Sequence, residues 1–125
     1  MYFTVNHINA NDIEDAHHTS AKYPKEISEF DQTNLEAEYL DNFIAPFVKS
    51  SKIKLACKYL NEYDIKENDT ILVVASIEGI YLEDGIIQED GWLSLDNAKT
   101  VAINGLDGYV GTKLIKRFEY ARPKK

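Results

Sequence analysis

The stretch from Ile53 to Leu82 leaves this chain the least freedom. From Ile53 to Ile65 apolar side chains take the odd positions Ile53, Leu55, Cys57, Tyr59, Tyr63 and Ile65, with one break at Asn61. Lys54, Lys58, Glu62 and Asp64 stand between them. A repeat of two is the period of a β-strand with one face on a core and the other in water. Lys66 to Thr70 is a polar run of hairpin length. Ile71-Leu72-Val73-Val74-Ala75 is then apolar on both faces, the composition of an interior strand, and it continues through Ile77 and Ile80 to Leu82. Two matched runs joined by a short polar loop predict a long antiparallel hairpin at the centre of the molecule.

The flanks are read around that hairpin. Tyr2 to Asn6 has strand character. Asn9 offers an N-cap for a short helix from Ala10 to about Ala21, with Asp12 in the first turn where the helix dipole favours an acid. That helix puts Ile13, Ala16, His17 and Ser20 on one face and turns His18 towards Glu14 and Lys22, and Pro24 ends it. Thr33-x-x-Glu36 matches a capping box, and Leu35, Tyr39, Leu40 and Phe43 have helical spacing as far as Pro46. Pattern alone therefore predicts helix over 33–45.

Two Glu-Asp-Gly runs, Glu83 to Gly85 and Glu89 to Gly91, read as turns, because they lack the alternate ligands and bidentate closing acid of a calcium loop. Asp96 is placed to cap a short helical turn, Gly105 to Tyr109 is a glycine-punctuated loop, and Leu114 to Tyr120 is the last apolar stretch. Strands around turns, with little helix, predict a mainly β fold, a small β-barrel with α additions.

At 125 residues one domain with a real core is expected. The net charge of −7 argues against nucleic acid as the main partner, since phosphate binding needs clustered cations. The one such cluster is Lys113, Lys116, Arg117, Arg122, Lys124 and Lys125. It could attract a phosphate or an acidic partner, or serve only as a solvated end. No apolar run approaches the ~20 residues of a membrane helix, and Met1 to Asp15 lacks the pattern of a secretory signal. A single cysteine cannot form an internal disulfide, which suits a reducing compartment, so a cytoplasmic protein is expected.

Cys57 stands mid-strand without a basic activator and reads as a buried strand residue rather than a nucleophile. His17 and His18, being adjacent, point about 100° apart on a helix and have no third ligand in pattern, so no metal site is expected. A histidine on the apolar side of a helix reads as a hydrogen-bonded core residue. There is no nucleophile elbow, phosphate loop or Rossmann glycine fingerprint, and no catalytic residue is assigned. Eight tyrosines and five phenylalanines could stack a planar ligand or simply pack.

Three stretches taken in order carry a resemblance. The first is Ala16-His17-His18-Thr19-Ser20-Ala21-Lys22-Tyr23-Pro24, followed by Ile27-Ser28-Glu29-Phe30-Asp31 and Leu35. The second is Ala45-Pro46-Phe47-Val48-Lys49-Ser50-Ser51. The third joins Gln88-Glu89-Asp90-Gly91 to Gly105-Leu106-Asp107-Gly108-Tyr109 and closes on Tyr120-Ala121-Arg122-Pro123. Together they resemble the flavin reductase-like family, whose fold is an FMN-binding split β-barrel of Greek-key type. The resemblance runs from about Phe3 to Pro123.

It implies that residues 1–125 correspond to the carboxy-terminal two-thirds of the family domain, lacking the first barrel strands and the segments that make much of the flavin contact. It also implies a homodimer, FMN as cofactor and NAD(P)H as hydride donor, with no side chain needed as acid or base. Residues expected near flavin are His17, Thr19, Ser20 and Tyr23, with Asp107 and Tyr109 on the glycine loop. The alternative is a truncated, non-catalytic dimerising β-barrel without cofactor, in which His17, Thr19 and Ser20 only tie a helix end to the barrel. By the same resemblance residues 36–45 are an extended connection, with helix confined to a turn near Pro46–Ser51.

Overall fold

Ten elements follow one another in a computed structural model that describes residues 1–124. In chain order they are β1 (Tyr2–Asn6), α1 (Ile13–His18), α2 (Glu29–Gln32), β2 (Ala37–Glu38), β3 (Phe47–Val48), β4 (Ile53–Ile65), β5 (Thr70–Leu82), α3 (Leu95–Ala98), β6 (Val101–Asn104) and β7 (Gly108–Gly111). The fold is mainly β. β4 and β5 are the predicted hairpin, paired from Ile53 opposite Leu82 to Ile65 opposite Thr70, and Asp69 turns the connection with φ 57°. β1 adds antiparallel to the other side of β4, giving a three-stranded sheet in the order β1-β4-β5. Two further antiparallel ribbons, β2-β3 and β6-β7, complete the strands.

The alternation in β4 is interrupted for a structural reason. Leu60 has no partner between the pairs Tyr59–Ala75 and Asn61–Val74, and Glu78 has none between Ala56–Gly79 and Cys57–Ile77. Each is the extra residue of a β-bulge, which disturbs the two-residue period and increases the local twist. The break at Asn61 falls directly after one of them. Lys54 departs from the predicted wet face: it is only 9% exposed. Its Nζ donates to Glu38 Oε2 at 3.2 Å and to the Lys49 carbonyl at 3.0 Å. The β2-β3 ribbon lies over that face and excludes water from it.

β5 also departs from expectation. It lies at the edge of its sheet, and Ile71, Leu72, Val73 and Val74 are each exposed by two-fifths or more. Core packing reaches only the Ile53 end of the hairpin. On one side Phe47, fully buried, packs against Phe43 and Tyr81 with ring centroids 5.7 and 5.2 Å away. On the other, Ile53, Ile86 and Ala98 form a small core with Leu82 and Leu93 against them.

Residues 33–45 are not helical. Thr33 is the extended C-cap of α2, its hydroxyl donating back to the Glu29 carbonyl, so it closes a helix instead of opening one. Asp41 and Asn42 then adopt φ of 50° and 61°, left-handed conformations that no α-helix can contain. Forming the β2-β3 ladder and burying Phe47 outweighs the local helical spacing. Near Pro46–Ser51 the chain is extended at Phe47–Val48 and turns only at Lys49–Ser50, so helix is absent there too.

α1 is shorter than predicted. Asn9 does not cap it; its side chain accepts from the Asn11 N–H and donates to Asp12 Oδ2 and the Ser50 carbonyl. α3 is capped by Ser94, whose hydroxyl accepts from the Asn97 N–H, rather than by Asp96. The two Glu-Asp-Gly runs are turns, with Gly85 and Gly91 at φ 85° and 87°, where a Cβ would be strained. Leu114 to Tyr120 forms no regular element. Lys125, the last member of the cationic cluster, lies outside the described residues.

Candidate functional site

The clearest concavity runs between α1 and β3. One half, a cavity of about 250 Å³, is lined by Asn6, His7 and Ile8 at the end of β1, by Asp12, Ala16 and Thr19 from the α1 region, and by Leu35 and Val48. A second, of about 320 Å³, shares Thr19, Leu35 and Val48 and adds Ser28, Glu29, Phe30 and Pro46. With three walls in common, the two are halves of one groove. Its size suits a small ligand. Leu35, Val48, Phe30 and Pro46 supply apolar surface, and Asn6, His7 and Thr19 the polar groups.

The walls are held by side-chain bonds rather than by long elements. Asn6 Oδ1 accepts from the Val48 N–H at 3.0 Å, and Thr4 donates to the Pro46 carbonyl at 2.7 Å, so β1 fixes β3 in place. Asp12 Oδ2 accepts from the Ser50 hydroxyl at 2.6 Å and from Asn9, fixing the start of α1 to the turn after β3. His7 Nδ1 lies 3.2 Å from the Thr100 hydroxyl, and burial pushes the imidazole below its usual pKa. It is therefore neutral near pH 7, able both to donate and to accept a hydrogen bond. Asp12 and Glu29 also line the groove, and among its lining residues there is no cation.

The residues singled out in the sequence fall in three places. Thr19 lies in both halves of the groove, with its hydroxyl donating to the Ala16 carbonyl at 2.6 Å. Ser20 caps the end of α1, donating to the His17 carbonyl at 2.7 Å. Tyr23 sits with its ring tilted against His18, 6.3 Å between centroids. His17 and Tyr109 are brought together from opposite ends of the chain: Nδ1 is 3.0 Å from the phenol oxygen and the rings meet edge to face at 5.6 Å. His17 is exposed, so it is not the core histidine its helical face suggested. Asp107 lies exposed in the β6–β7 turn, two residues before Tyr109.

His7, Asn6 and Val48 were missed as site residues, and His7 had no motif around it to mark it. Phe30, Leu35, Pro46 and Val48 did carry a signal. They belong to the first and second motif stretches, which converge on this groove although nine residues separate them in sequence. Among the described residues no group of three or more His, Cys, Asp or Glu is arranged to hold a metal ion.

Comparison with known proteins places the fold. The family described as flavin reductase like domain matches residues 1–102. A split-barrel protein of Shewanella frigidimarina NCIMB 400, provisionally called a flavin reductase, is 42% identical, with a TM-score of 0.91 over 94% of this chain and 60% of its own. The flavoredoxin of Desulfovibrio vulgaris (Miyazaki F) is 12% identical, with a TM-score of 0.76 over 92% of this chain and 61% of its own. Nitrilotriacetate monooxygenase component B from Bacillus cereus is 16% identical, with a TM-score of 0.76 over 94% of this chain and 58% of its own. At that identity the last two speak for the fold alone. The chain thus spans about three-fifths of the length of the structures it matches. No curated protein matches it.

Proposed function

The chain belongs to the flavin reductase-like family, with a split-barrel fold, and on that premise we propose that it binds FMN and serves NAD(P)H-dependent flavin reduction as a cytoplasmic homodimer. Its residues are read as the carboxy-terminal two-thirds of the family domain. What carries the reading is the groove between α1 and β3, where the first two resemblance motifs meet around an apolar slot with a few polar groups. Flavin, once bound, supplies hydride acceptance and donation itself. The chain's part is to hold and orient the ring and to keep water from it. Leu35, Val48 and Phe30 would face the ring plane and Thr19 and Asn6 would fix its orientation, while His17, Ser20, Tyr23, Asp107 and Tyr109, which lie outside the groove lining, are carried as further candidate flavin contacts. No helix among the described residues is long and apolar enough to cross a membrane.

The groove suits the ring and not the phosphate. Its walls carry Asp12 and Glu29 without a cation, and a phosphate dianion beside two carboxylates is repelled. That observation favours the second reading, a dimerising barrel that has kept the fold without the cofactor. It also separates the two by experiment. Titration of the purified colourless protein with FMN and with riboflavin, followed by flavin fluorescence, should show saturable binding of both, with little preference for the phosphate. Val48→Arg should abolish it, and His17→Gln and Tyr109→Phe should weaken it several-fold. No saturation at millimolar flavin would remove the flavin reading for this chain and leave the cofactor-free one.

A further inference from the structure

Charge is divided sharply along the sequence. Six of the 14 basic residues, Lys113, Lys116, Arg117, Arg122, Lys124 and Lys125, follow Thr112 against one acid, Glu119. The last 13 residues therefore carry +5 and residues 1–112 carry −12. The basic segment is fixed at its root. Both carboxylate oxygens of Asp96 accept from the Leu114 N–H at 3.0 Å. Arg117 donates to Asp90 at 2.7 Å and lies 4.4 Å above the Trp92 ring. Around that anchor the chain is exposed: Ile115 is 97% exposed, Phe118 81% and Tyr120 82%, the two rings meeting only the strap's own Lys116 and Arg122 at 4.9 and 5.2 Å among the described residues. Three large apolar side chains held in water on an anchored strap are a surface without its partner.

The acidic counterpart is the far arm of the hairpin. From Leu60 to Glu78 it carries Glu62, Asp64, Glu67, Asp69 and Glu78 against Lys66, and it exposes Leu60, Tyr63, Ile71, Leu72, Val73, Val74 and Ile77. β5 there is an edge strand, so its outward N–H and C=O groups have no ladder of their own. No proline interrupts residues 113–122, so every residue of the strap can donate to such a ladder.

We propose that residues 115–122 of one copy dock along the β5 edge and exposed arm of a second copy, with Lys116 and Arg122 against Asp64 and Glu67 and with Ile115, Phe118 and Tyr120 on the exposed valines and leucines. The proposal rests on the homodimer in the functional reading above and assigns its contact surface. Reciprocal exchange closes the pair and leaves no free strap.

Analytical ultracentrifugation of the full chain, with and without FMN, tests it. A dimer is expected whose dissociation constant rises roughly tenfold between 50 and 500 mM salt, as exposed charge pairs are screened. Lys116→Glu with Arg122→Glu should weaken it about tenfold or more, and Asp64→Lys with Glu67→Lys should do the same. All four residues are exposed, so circular dichroism and melting of each variant should match the parent. Mixing the two reversed chains should restore a heterodimer, because the acidic strap of one then meets the basic arm of the other and the unchanged strap meets the unchanged arm; failure of the mixture to associate would overturn the pairing. All four changes in a single chain should restore the dimer. A dimer indifferent to both reversals would overturn the strap while leaving the homodimer standing. A monomer at every concentration would overturn both.

Discussion

Lys54 is where the fold places the most weight on one polar contact. Its Nζ reaches Glu38 Oε2 and the Lys49 carbonyl, its side chain is 11% exposed and that of Glu38 29%. Lys54→Met keeps the length and apolar stem but leaves a carbonyl and a carboxylate without their donor. An unsatisfied buried carbonyl costs about 1 kcal/mol, and an orphaned carboxylate that keeps some solvent adds roughly 1–2 more. The expected loss is therefore about 2–3 kcal/mol, within the range for breaking a partly buried pair. With a urea m-value of roughly 1–3 kcal/mol/M, the unfolding midpoint should fall by about 1 M. Replacing both partners, Lys54→Met with Glu38→Met, removes the orphaned carboxylate, leaves only the Lys49 carbonyl without its donor, and should cost no more than the single change. The ribbon it pins carries Val48 and Pro46, so flavin titration should weaken in parallel. A single-variant loss below about 0.5 kcal/mol, or a double variant that costs the sum of the singles, would refute the assignment.

His7 gives stability a pH dependence of determined sign. Its folded pKa is lowered by burial, so the unfolded chain binds the proton more readily; stability is full above the ordinary value of 6.5 and falls as pH drops below it towards the folded value. His7→Gln should flatten that part of a denaturation-midpoint curve measured from pH 7.5 to 5. Cys57 is buried and its thiol pKa is raised by desolvation, so alkylation at pH 8 should be slow in the native protein and fast in urea. Rapid native labelling would mean that β4 opens at its β1 side.

What could be read in advance was whatever depends on backbone period alone. Ile53–Ile65 reads as a strand from its alternation and Ile71–Leu82 from its continuous apolar run, and neither pattern needs knowledge of neighbours. Pattern alone misreads residues 33–45 because Leu35, Tyr39, Leu40 and Phe43 have helical spacing while the winning interactions, the ladder with β3 and the burial of Phe47, are made with residues beyond that window; the extended connection that the family resemblance implies over 36–45 agrees with the structure. Lys54 was put in water for the same reason: its partners, Glu38 and Lys49, come from the ribbon that covers it. At the groove, Thr19 was found and His7 was not. Thr19 stands inside a motif, whereas His7 matters only because Thr100, 93 residues on, meets its ring.

The exposed edge of β5 is a different kind of departure. Ile71 to Ala75 has the composition of a strand covered on both faces, and in the single chain Ile71 to Val74 are exposed on both. On the proposed dimer, composition reports the environment of the pair and not of one copy. Half-burying seven aliphatic or aromatic side chains further on each of two arms would gain roughly 1 kcal/mol each, about 14 kcal/mol for the reciprocal pair, against an association cost of about 4–15 kcal/mol. Apolar area by itself leaves two copies close to balance. The term that can tip such a balance is the one this sequence has segregated, five positive charges on the strap and a net of four negative on the arm. An interface that owes its margin to charge must weaken with salt, whereas one closed by apolar area alone would hold.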